Sequence, residues 1–438
     1  MIPYHIGIDS TDSAELGMCT TYLGAVLMER LSPLPLELST FPELIRLNPN
    51  VPWKTRGNGA VCLRYQGEKS VLNEVIDTAE AVIEDMSIFQ DPQTNPGLAI
   101  LQGNVSGEVN ELYHRALHRI VDVEDAEHIG KRSGVYVKGW KNERGLIGAL
   151  SAIGAELPHY TYEAIQYRPG SIKVRERKVD IASLLRASSN HPATFFNVDG
   201  EGKPVCIPHS PCPVILGIRG TDPKDTLEAL REVRAENVER WVLWRTNQHT
   251  DAHIEEVEDI SGVSQYSSVR CPVVITGSPA YIKGGHLMVS AEDHLGNSMD
   301  LAAYEPTKGF RKELADLAPG DRVEVWGSIR TDDVPRITVN LEKIMIVELA
   351  EITRYENPRC PKCGGPTASM GKGQGLRCKM CRYRGADLIP IEISLPRNLE
   401  KGLIEPPPDA WRHLFRPSSI PDHEKRTYEA PFWGTGRP

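Results

Sequence analysis

Four cysteines, Cys360, Cys363, Cys378 and Cys381, stand in a C-x2-C-x14-C-x2-C pattern. Two such turns place four thiolates around one Zn²⁺ at about 2.3 Å, and a closed shell of four sulfurs leaves no position for a substrate. The chemistry expected there is structural. Lys362, Lys372, Arg377, Lys379, Arg382 and Arg384 lie among and beside the cysteines and make this ribbon basic. Cys19, Cys62, Cys206, Cys212 and Cys271 show no framework spacing, and the N-terminus carries no basic-then-apolar leader, so disulfides are not expected.

A second group of residues suits phosphate chemistry. Tyr4 to Asp9 reads as a strand and Met18 to Leu31 as a helix, with Asp9-Ser10-Thr11-Asp12-Ser13 opening the polar loop between them. Carboxylates at the C-terminal edge of a strand, beside the N–H groups of a helix start, commonly hold Mg²⁺ and phosphates. Asp12 or Ser13 acting only as a helix cap is the plain alternative, and two carboxylates bracketing hydroxyls favour the metal. Arg56-Gly57-Asn58-Gly59 and Arg144-Gly145-Leu146-Ile147-Gly148 can offer N–H groups and an arginine to phosphate, although neither is a P-loop or Rossmann fingerprint and each suits an ordinary turn. Phe195-Phe196-Asn197-Val198-Asp199, then Ile207-Pro208-His209, set a carboxylate near aromatics, a pairing that attracts a cation; Asp199 before Gly200 suits a hairpin turn equally well.

The elements that must position these groups follow from length and pattern. A chain of 438 residues, 40% hydrophobic and 25% charged, predicts a globular protein of two to four domains. No window has the roughly 18 apolar residues of a membrane span, so a soluble, cytoplasmic protein without a membrane partner is expected. Net charge is −9, unevenly spread: residues 351–438 hold 15 Lys and Arg against 10 Asp and Glu, so a basic end on an acidic body can still meet a polyanion. Strands near Leu36–Arg46, Ala60–Tyr65, Tyr160–Arg168, Val214–Ile218 and Trp241–Arg245 are expected to alternate with helices near Val71–Met86, Gly107–Ile120, Arg144–Ala155, Val179–Ala187 and Asp225–Arg234. That is an α+β arrangement up to a polar boundary at Asn247–Gly262. From Cys271 to Val347, three short strands, a helix at Lys308–Leu317 and two more strands predict a five-stranded Greek-key barrel of the OB type. Beyond the ribbon, Trp411-Arg412-His413-Leu414-Phe415-Arg416 interleaves cations and aromatics in a proline-rich tail, suiting backbone contact and base stacking or simple disorder.

Taken in order, the motifs resemble one family, the archaeal tRNA 2-agmatinylcytidine synthetases. The resemblance rests on Gly7-Ile8-Asp9-Ser10-Thr11-Asp12-Ser13, Gly17-Met18-Cys19-Thr20-Thr21-Tyr22-Leu23, Lys54-Thr55-Arg56-Gly57-Asn58 and Arg144-Gly145-Leu146-Ile147-Gly148-Ala149-Leu150. Gly217-Ile218-Arg219-Gly220, Arg245-Thr246-Asn247-Gln248 and Thr250-Asp251-Ala252-His253 continue it, ahead of the barrel and the ribbon. It implies an ATP-dependent ligase that joins agmatine to C2 of the wobble cytidine in the CAU anticodon of an isoleucine tRNA, releasing AMP and pyrophosphate. It also implies a multidomain α+β fold: a kinase-like α/β domain over 1–128, which can interleave with the next, and a ferredoxin-like domain over 129–262. An OB-fold over 268–350, a zinc ribbon over 355–386 and a tRNA-contacting tail over 387–438 follow.

By the same resemblance Thr20 is the autophosphorylated threonine, Asp9 and Asp12 are the carboxylates for ATP and Mg²⁺, and Arg144 and Gly145 also meet ATP. Phe196, Asp199 and His209 are the candidates for the agmatine pocket. The chain departs from the family where Ser10 replaces a second Asp, where Lys141-Asn142-Glu143 replaces a glycine-rich approach, and where Cys212 stands in place of an acid. A small-molecule kinase sharing the Asp9 and Asp12 site and a non-catalytic single-strand binder are the alternatives.

Overall fold

The computed structural model describes residues 1–331, 336–420 and 431–438. The first run of elements is β1 (Ile2–Asp9), α1 (Thr20–Leu31), β2 (Leu36–Leu38), β3 (Glu43–Arg46), β4 (Gly59–Gly67), α2 (Leu72–Met86), β5 (Gly97–Gln102), α3 (Gly107–His118), α4 (Val123–Arg132) and β6 (Tyr136–Gly139). The second is α5 (Gly145–Gly154), β7 (Thr161–Tyr167), α6 (Ile181–Asn190), β8 (Thr194–Phe195), β9 (Val214–Gly220), α7 (Pro223–Glu232) and β10 (Arg240–Thr246).

The two runs share one sheet, in the order β6-β5-β1-β4-β3-β10-β7-β9-β8. The seam is a short parallel pairing of β3 and β10, with Glu43 opposite Arg245 and Leu44 opposite Thr246. Glu43, 1% exposed, pairs there with Arg64 at 2.8 Å and with Arg245, so a buried carboxylate pins the joint from both sides. The apolar layer crosses the seam as well: Leu23, Leu27 and Val61 pack in one cluster with Val242 and Trp244. The fold therefore fixes the two halves against each other, which a site built between them requires.

Helix α5 is buried on every face. Its small residues let it lie directly on β1: a Cβ on Gly7 would come within 2.0 Å of the Ala149 carbonyl oxygen. Two expectations are corrected here. The single strand expected over Leu36–Arg46 is two strands: Ser39 N–H still donates to the Arg64 carbonyl, the chain then breaks at 40–42, where Pro42 has no N–H for the ladder, and β3 rejoins β4 two residues out of the earlier register. Helix α4 is absent from the expected elements; half of its ten residues are charged, and only Ala126, Ile129 and Gly130 are buried.

The OB-type barrel is made of β12 (Ser268–Ile275), β14 (Leu287–Glu292), β15 (Ser298–Ala303), β16 (Arg322–Arg330) and β17 (Ile337–Glu348), closed by pairing of β12 with β14. Short strands β11 (Ile254–Glu256) and β13 (Ala280–Tyr281) extend its edges. The expected helix at Lys308–Leu317 is shorter, α8 (Gly309–Leu314), after a tight turn at Glu305–Thr307. The barrel docks on the sheet body through buried polar contacts, among them His253 Nε2 to Glu342 at 3.0 Å and Lys343 to Asp251.

The ribbon carries β19 (Thr367–Ser369) and β20 (Leu376–Cys378) and hangs from the two-stranded stem of β18 (Thr353–Glu356) and β21 (Ile391–Ser394). The chain beyond it returns to the body. β22 (Gly402–Ile404) pairs with the barrel strand β17, Leu414 and Phe415 are 1% and 2% exposed, and β23 (Trp433–Thr435) pairs with β10 of the central sheet. Residues 421–430 of the expected tail lie outside the described residues. No helix among the described residues is long and apolar enough to cross a membrane.

Candidate active site

Asp9 ends β1 and Ser10 turns the chain with φ of +60°. The loop that follows is pinned: Ser13 donates to Asp91, and the Thr94 hydroxyl donates to the Asp12 carbonyl at 2.7 Å. The Asp12 carboxylate accepts from the Thr55 hydroxyl at 2.8 Å and pairs with Arg56, whose other arm reaches the Ser210 hydroxyl at 3.2 Å. Arg56 thus bridges the two halves. Asp9 lies deep in the molecule but stays partly open to the cavity, and its Oδ1 accepts from Ser10 N–H at 2.7 Å. Burial, with the nearby Asp12 charge adding, pushes its carboxyl up to about 7 against the opposing Ser10 N–H and Arg144. A Cβ on Gly148 would fall 2.0 Å from Asp9 Oδ2, so the close seat of α5 against this carboxylate requires glycine. Thr20, the first residue of α1, accepts from the Thr11 hydroxyl at 3.1 Å.

These groups line one cavity of about 420 Å³ between the two halves of the sheet. Six cations face it, Arg46, Lys54, Arg56, Arg119, Arg144 and Arg219, against three carboxylates, Asp9, Asp12 and Glu163. A cavity with that surplus favours a polyanion of triphosphate size even inside an acidic body. Glu163 is held by Gln248 Nε2 at 2.6 Å and lies 3.5 Å from Arg219. A second cavity of about 740 Å³ adjoins the first and shares Arg46, Arg56, His209, Arg219 and His413 with it. Phe196 and Trp411, with ring centroids 5.1 Å apart, stand on its wall, and Arg219 lies over the Phe196 ring.

The structure therefore brings Asp9, Asp12, Thr20 and Arg144 together, with His209 on both cavities and Phe196 on the second. It sets two expected residues apart. Gly145 gives its N–H to the Asn95 carbonyl at 2.9 Å, and Asp199 folds its carboxylate onto the N–H groups of Glu201 and Lys203 at 2.9 and 2.8 Å. Arg46 and Glu163 belong to no motif, Gln248 enters only as part of the family stretch Arg245-Thr246-Asn247-Gln248, and His413 only as part of the cation–aromatic stretch read for RNA contact; none of the four has an expected role in this site. Arg46 and Glu163, polar residues on strands β3 and β7, held the only available signal.

The four ribbon cysteines converge, with Sγ pairs Cys360–Cys381 at 3.6 Å and Cys363–Cys378 at 3.5 Å and all four sulfurs within 4.8 Å of one another. A tetrahedral zinc–thiolate shell sets sulfurs about 3.8 Å apart, so the set fits Zn²⁺.

Three family models match the chain: the TiaS TCKD domain over residues 5–142, the TiaS FLD domain over 143–253 and the TiaS C-terminal zinc ribbon domain over 357–399. A tRNA(Ile2) 2-agmatinylcytidine synthetase TiaS from Methanosarcina mazei is 40% identical over 422 residues, covering 94% of this chain and 96% of its own. The protein of that name from Pyrococcus horikoshii is 40% identical over 430 residues, covering 96% and 98%. Among solved structures, a TiaS–tRNA(Ile2)–ATP complex superposes with a TM-score of 0.87 at 38% identity, covering 98% of this chain and 99% of that one. A TiaS–tRNA(Ile2)–AMPCPP–agmatine complex gives 0.85 at 36% identity, with the same coverage.

Proposed function

The chain belongs to the tRNA(Ile2) 2-agmatinylcytidine synthetase family, and from that membership we propose that it joins agmatine to C2 of the wobble cytidine in the CAU anticodon of an isoleucine tRNA. ATP leaves as AMP and pyrophosphate. A phosphoryl group first activates the cytosine C2 oxygen, and the agmatine amine then displaces it with formation of a C–N bond. The protein is a ligase in this scheme, and a tRNA substrate implies the cytoplasm.

The observation that carries the reading is the single cavity in which six cations, two loop carboxylates and the Thr20 hydroxyl meet across the sheet seam. Phosphoryl transfer draws on position and charge more than on covalent machinery. Arg46, Arg56, Arg119, Arg144, Arg219 and Lys54 suit the phosphates, and Thr20 is the hydroxyl within the site that takes a phosphoryl group. Asp9 fits Mg²⁺, since this deep carboxylate has no ion-pair partner among the described residues, and Asp12 completes the pair once Arg56 turns to phosphate. That ion, when bound, neutralises phosphate charge. Phe196 and His209 on the adjoining cavity suit the amine substrate. ATP handling falls to the first half of the sheet and amine handling to the second. RNA grip falls to the barrel, the ribbon and residues 387–438.

A small-molecule kinase would leave barrel and ribbon without a purpose, and a plain RNA binder would not need the buried carboxylates. Incubation with the tRNA transcript, ATP and agmatine, followed by mass spectrometry of the anticodon nucleosides, tests the reading. A cytidine heavier by the agmatine adduct, with AMP and pyrophosphate in step, is expected. An unmodified cytidine under conditions that fold the protein would refute it.

A further inference from the structure

The segment after the ribbon, read from the sequence for RNA contact, carries a side chain into the active site. Trp411–Arg416 is strapped to the loop after β10: His249 N–H donates to the His413 carbonyl at 2.8 Å, Asp251 N–H to the Leu414 carbonyl at 2.9 Å and Arg416 N–H to Asp251 Oδ1 at 2.7 Å. Between these anchors the His413 imidazole lines both cavities and is exposed on its cavity side.

Its tautomer is fixed by a chain of partners. Gln248 must turn its amide nitrogen to Glu163, which as a carboxylate only accepts, at 2.6 Å. That leaves Gln248 Oε1 facing His413 Nδ1 at 3.2 Å, so the imidazole carries its proton on Nδ1 and a lone pair on Nε2. Nε2 has no hydrogen-bond partner among the described residues. It sits at Gly57, where a Cβ would come within 2.9 Å of it, so the edge stays clear only because residue 57 is glycine.

An imidazole oriented this way is a proton acceptor, and the proposed reaction needs one. A primary alkylamine resembles a lysine side chain, with a pKa near 10.4, so only about one molecule in a thousand is free base at pH 7. We propose that His413 is a catalytic residue, the base whose Nε2 takes the ammonium proton of the incoming amine. The inference rests on the reaction proposed above. The ammonium gives one proton to Nε2, and the freed nitrogen pair forms the N–C2 bond. The C2–O bond breaks with its electrons going to the oxygen of the activating phosphoryl group, whose phosphorus is one of the three that leave as AMP and pyrophosphate, and the second N–H proton goes to solvent.

The charges around the ring give this base a switch. Arg46 first, then burial, Arg219, His249 and Arg56 hold the imidazole well below its usual range. Glu163 faces it only through Gln248, and Lys54, Arg330 and Arg412 line the same second cavity. Phosphates that enter and neutralise the guanidiniums restore its basicity, so the base becomes competent only in the loaded site.

The test is His413→Gln in the full chain, with AMP release and nucleoside product followed in parallel from pH 7 to pH 9. Product formation should fall about a hundredfold or more at pH 7 while ATP affinity and tRNA affinity hold. The defect should shrink about tenfold per pH unit, because the amine then loses its proton unaided. A defect equal at every pH would make His413 a spacer and overturn the proposal, as would a wild-type rate. Absence of AMP and product from the wild-type chain would instead sink the underlying reaction. If His413→Gln does not fold, Gln248→Leu keeps the imidazole but frees its tautomer. It should lose roughly tenfold, again reversed by raised pH, and a loss independent of pH would count against the base.

Discussion

The active-site cavity displays six lysines and arginines and the zinc ribbon seven, Arg359 among them, and they are set up in opposite ways. In the cavity, Arg56 pairs with Asp12 and Arg219 lies beside Glu163, both largely shielded from solvent. On the ribbon, Lys362, Lys372, Arg377, Lys379, Arg382 and Arg384 are exposed, and none has an ion pair among the described residues. Cations held in place by carboxylates before the ligand arrives stabilise a transition state without reorganising. Free exposed cations reorganise readily and meet a long polyanion through screened, counterion-releasing contacts. On the proposed reading the same residue types serve chemistry in one region and grip in the other, and each role has its own measurable signature.

The largest expected effect is Asp12→Asn. It removes one of two loop carboxylates and the partner of Arg56, so product formation should drop a hundredfold or more, about 3 kcal/mol of transition-state stabilisation. tRNA affinity, measured by filter binding, should stay within twofold. Lost tRNA affinity with retained turnover would show that chemistry and grip are assigned to the wrong regions.

Next in size is removal of zinc. The ribbon has little core of its own, since Leu376, Cys360 and Cys378 are buried while Met380, Cys363 and Cys381 are exposed. Four thiolates and a metal must therefore supply its folding energy. Cys378→Ser should abolish zinc binding in metal analysis and leave the main thermal transition of the sheet body and barrel in place. A body that melts along with the ribbon would break the comparison between an apolar core and a metal-held one.

Acid separates the regions again. His249 is 2% exposed, and burial, with Arg219 and Arg46, holds its imidazole down to about 3 while Phe415 O accepts from Nδ1 at 2.8 Å. Its folded value lies below the unfolded one near 6.5, so the folded state binds fewer protons in between. The stability involved is whole above about pH 6.5 and is lost as pH falls toward 3, on the order of 4 kcal/mol at the limit. His249→Gln should flatten the fall of Tm with pH in that window for the body. The ribbon should still lose zinc in acid as its thiolates protonate. An unchanged slope would place the acid sensitivity of the body elsewhere.

What could be read from the chain follows the distance over which each signal acts. The cysteines of the ribbon and the Asp9 to Asp12 loop declare themselves because their partners stand a few residues away. The barrel strands show through their short alternating runs and the Pro319-Gly320-Asp321 turn. Glu163, Gln248 and His413 come together only because β7, the loop after β10 and the returning strap meet in space, and the local stretches that hold Gln248 and His413 do not show that they share a site. Trp411–Arg416 suited disorder or RNA contact because its anchors, the backbone N–H groups of His249 and Asp251 with the Asp251 carboxylate and the His249 ring, lie far from it in sequence. Asp199 looked like a cation ligand by composition, and its own turn uses the carboxylate.

The smallest expected effect gives the finest test of the two kinds of cation. Arg377 lies exposed on β20, pairs with no carboxylate among the described residues and makes no part of either cavity. Arg377→Gln should leave Tm unchanged within about 0.5 kcal/mol of stability, since exposed substitutions away from packing rarely do more. If the ribbon grips tRNA phosphates, one lost contact lowers the slope of log affinity against log salt by about 0.7 to 0.9. The affinity loss should then be clear at 50 mM salt and nearly vanish at high salt, where the contact is already screened. Arg56→Gln offers the contrast: its guanidinium is committed to Asp12 and Ser210, so turnover should fall while the salt slope of tRNA binding stays put. A salt slope that changes with Arg56 and not with Arg377 would reverse the roles of the two regions. It would also require the polyanion to track into the cavity rather than along the ribbon.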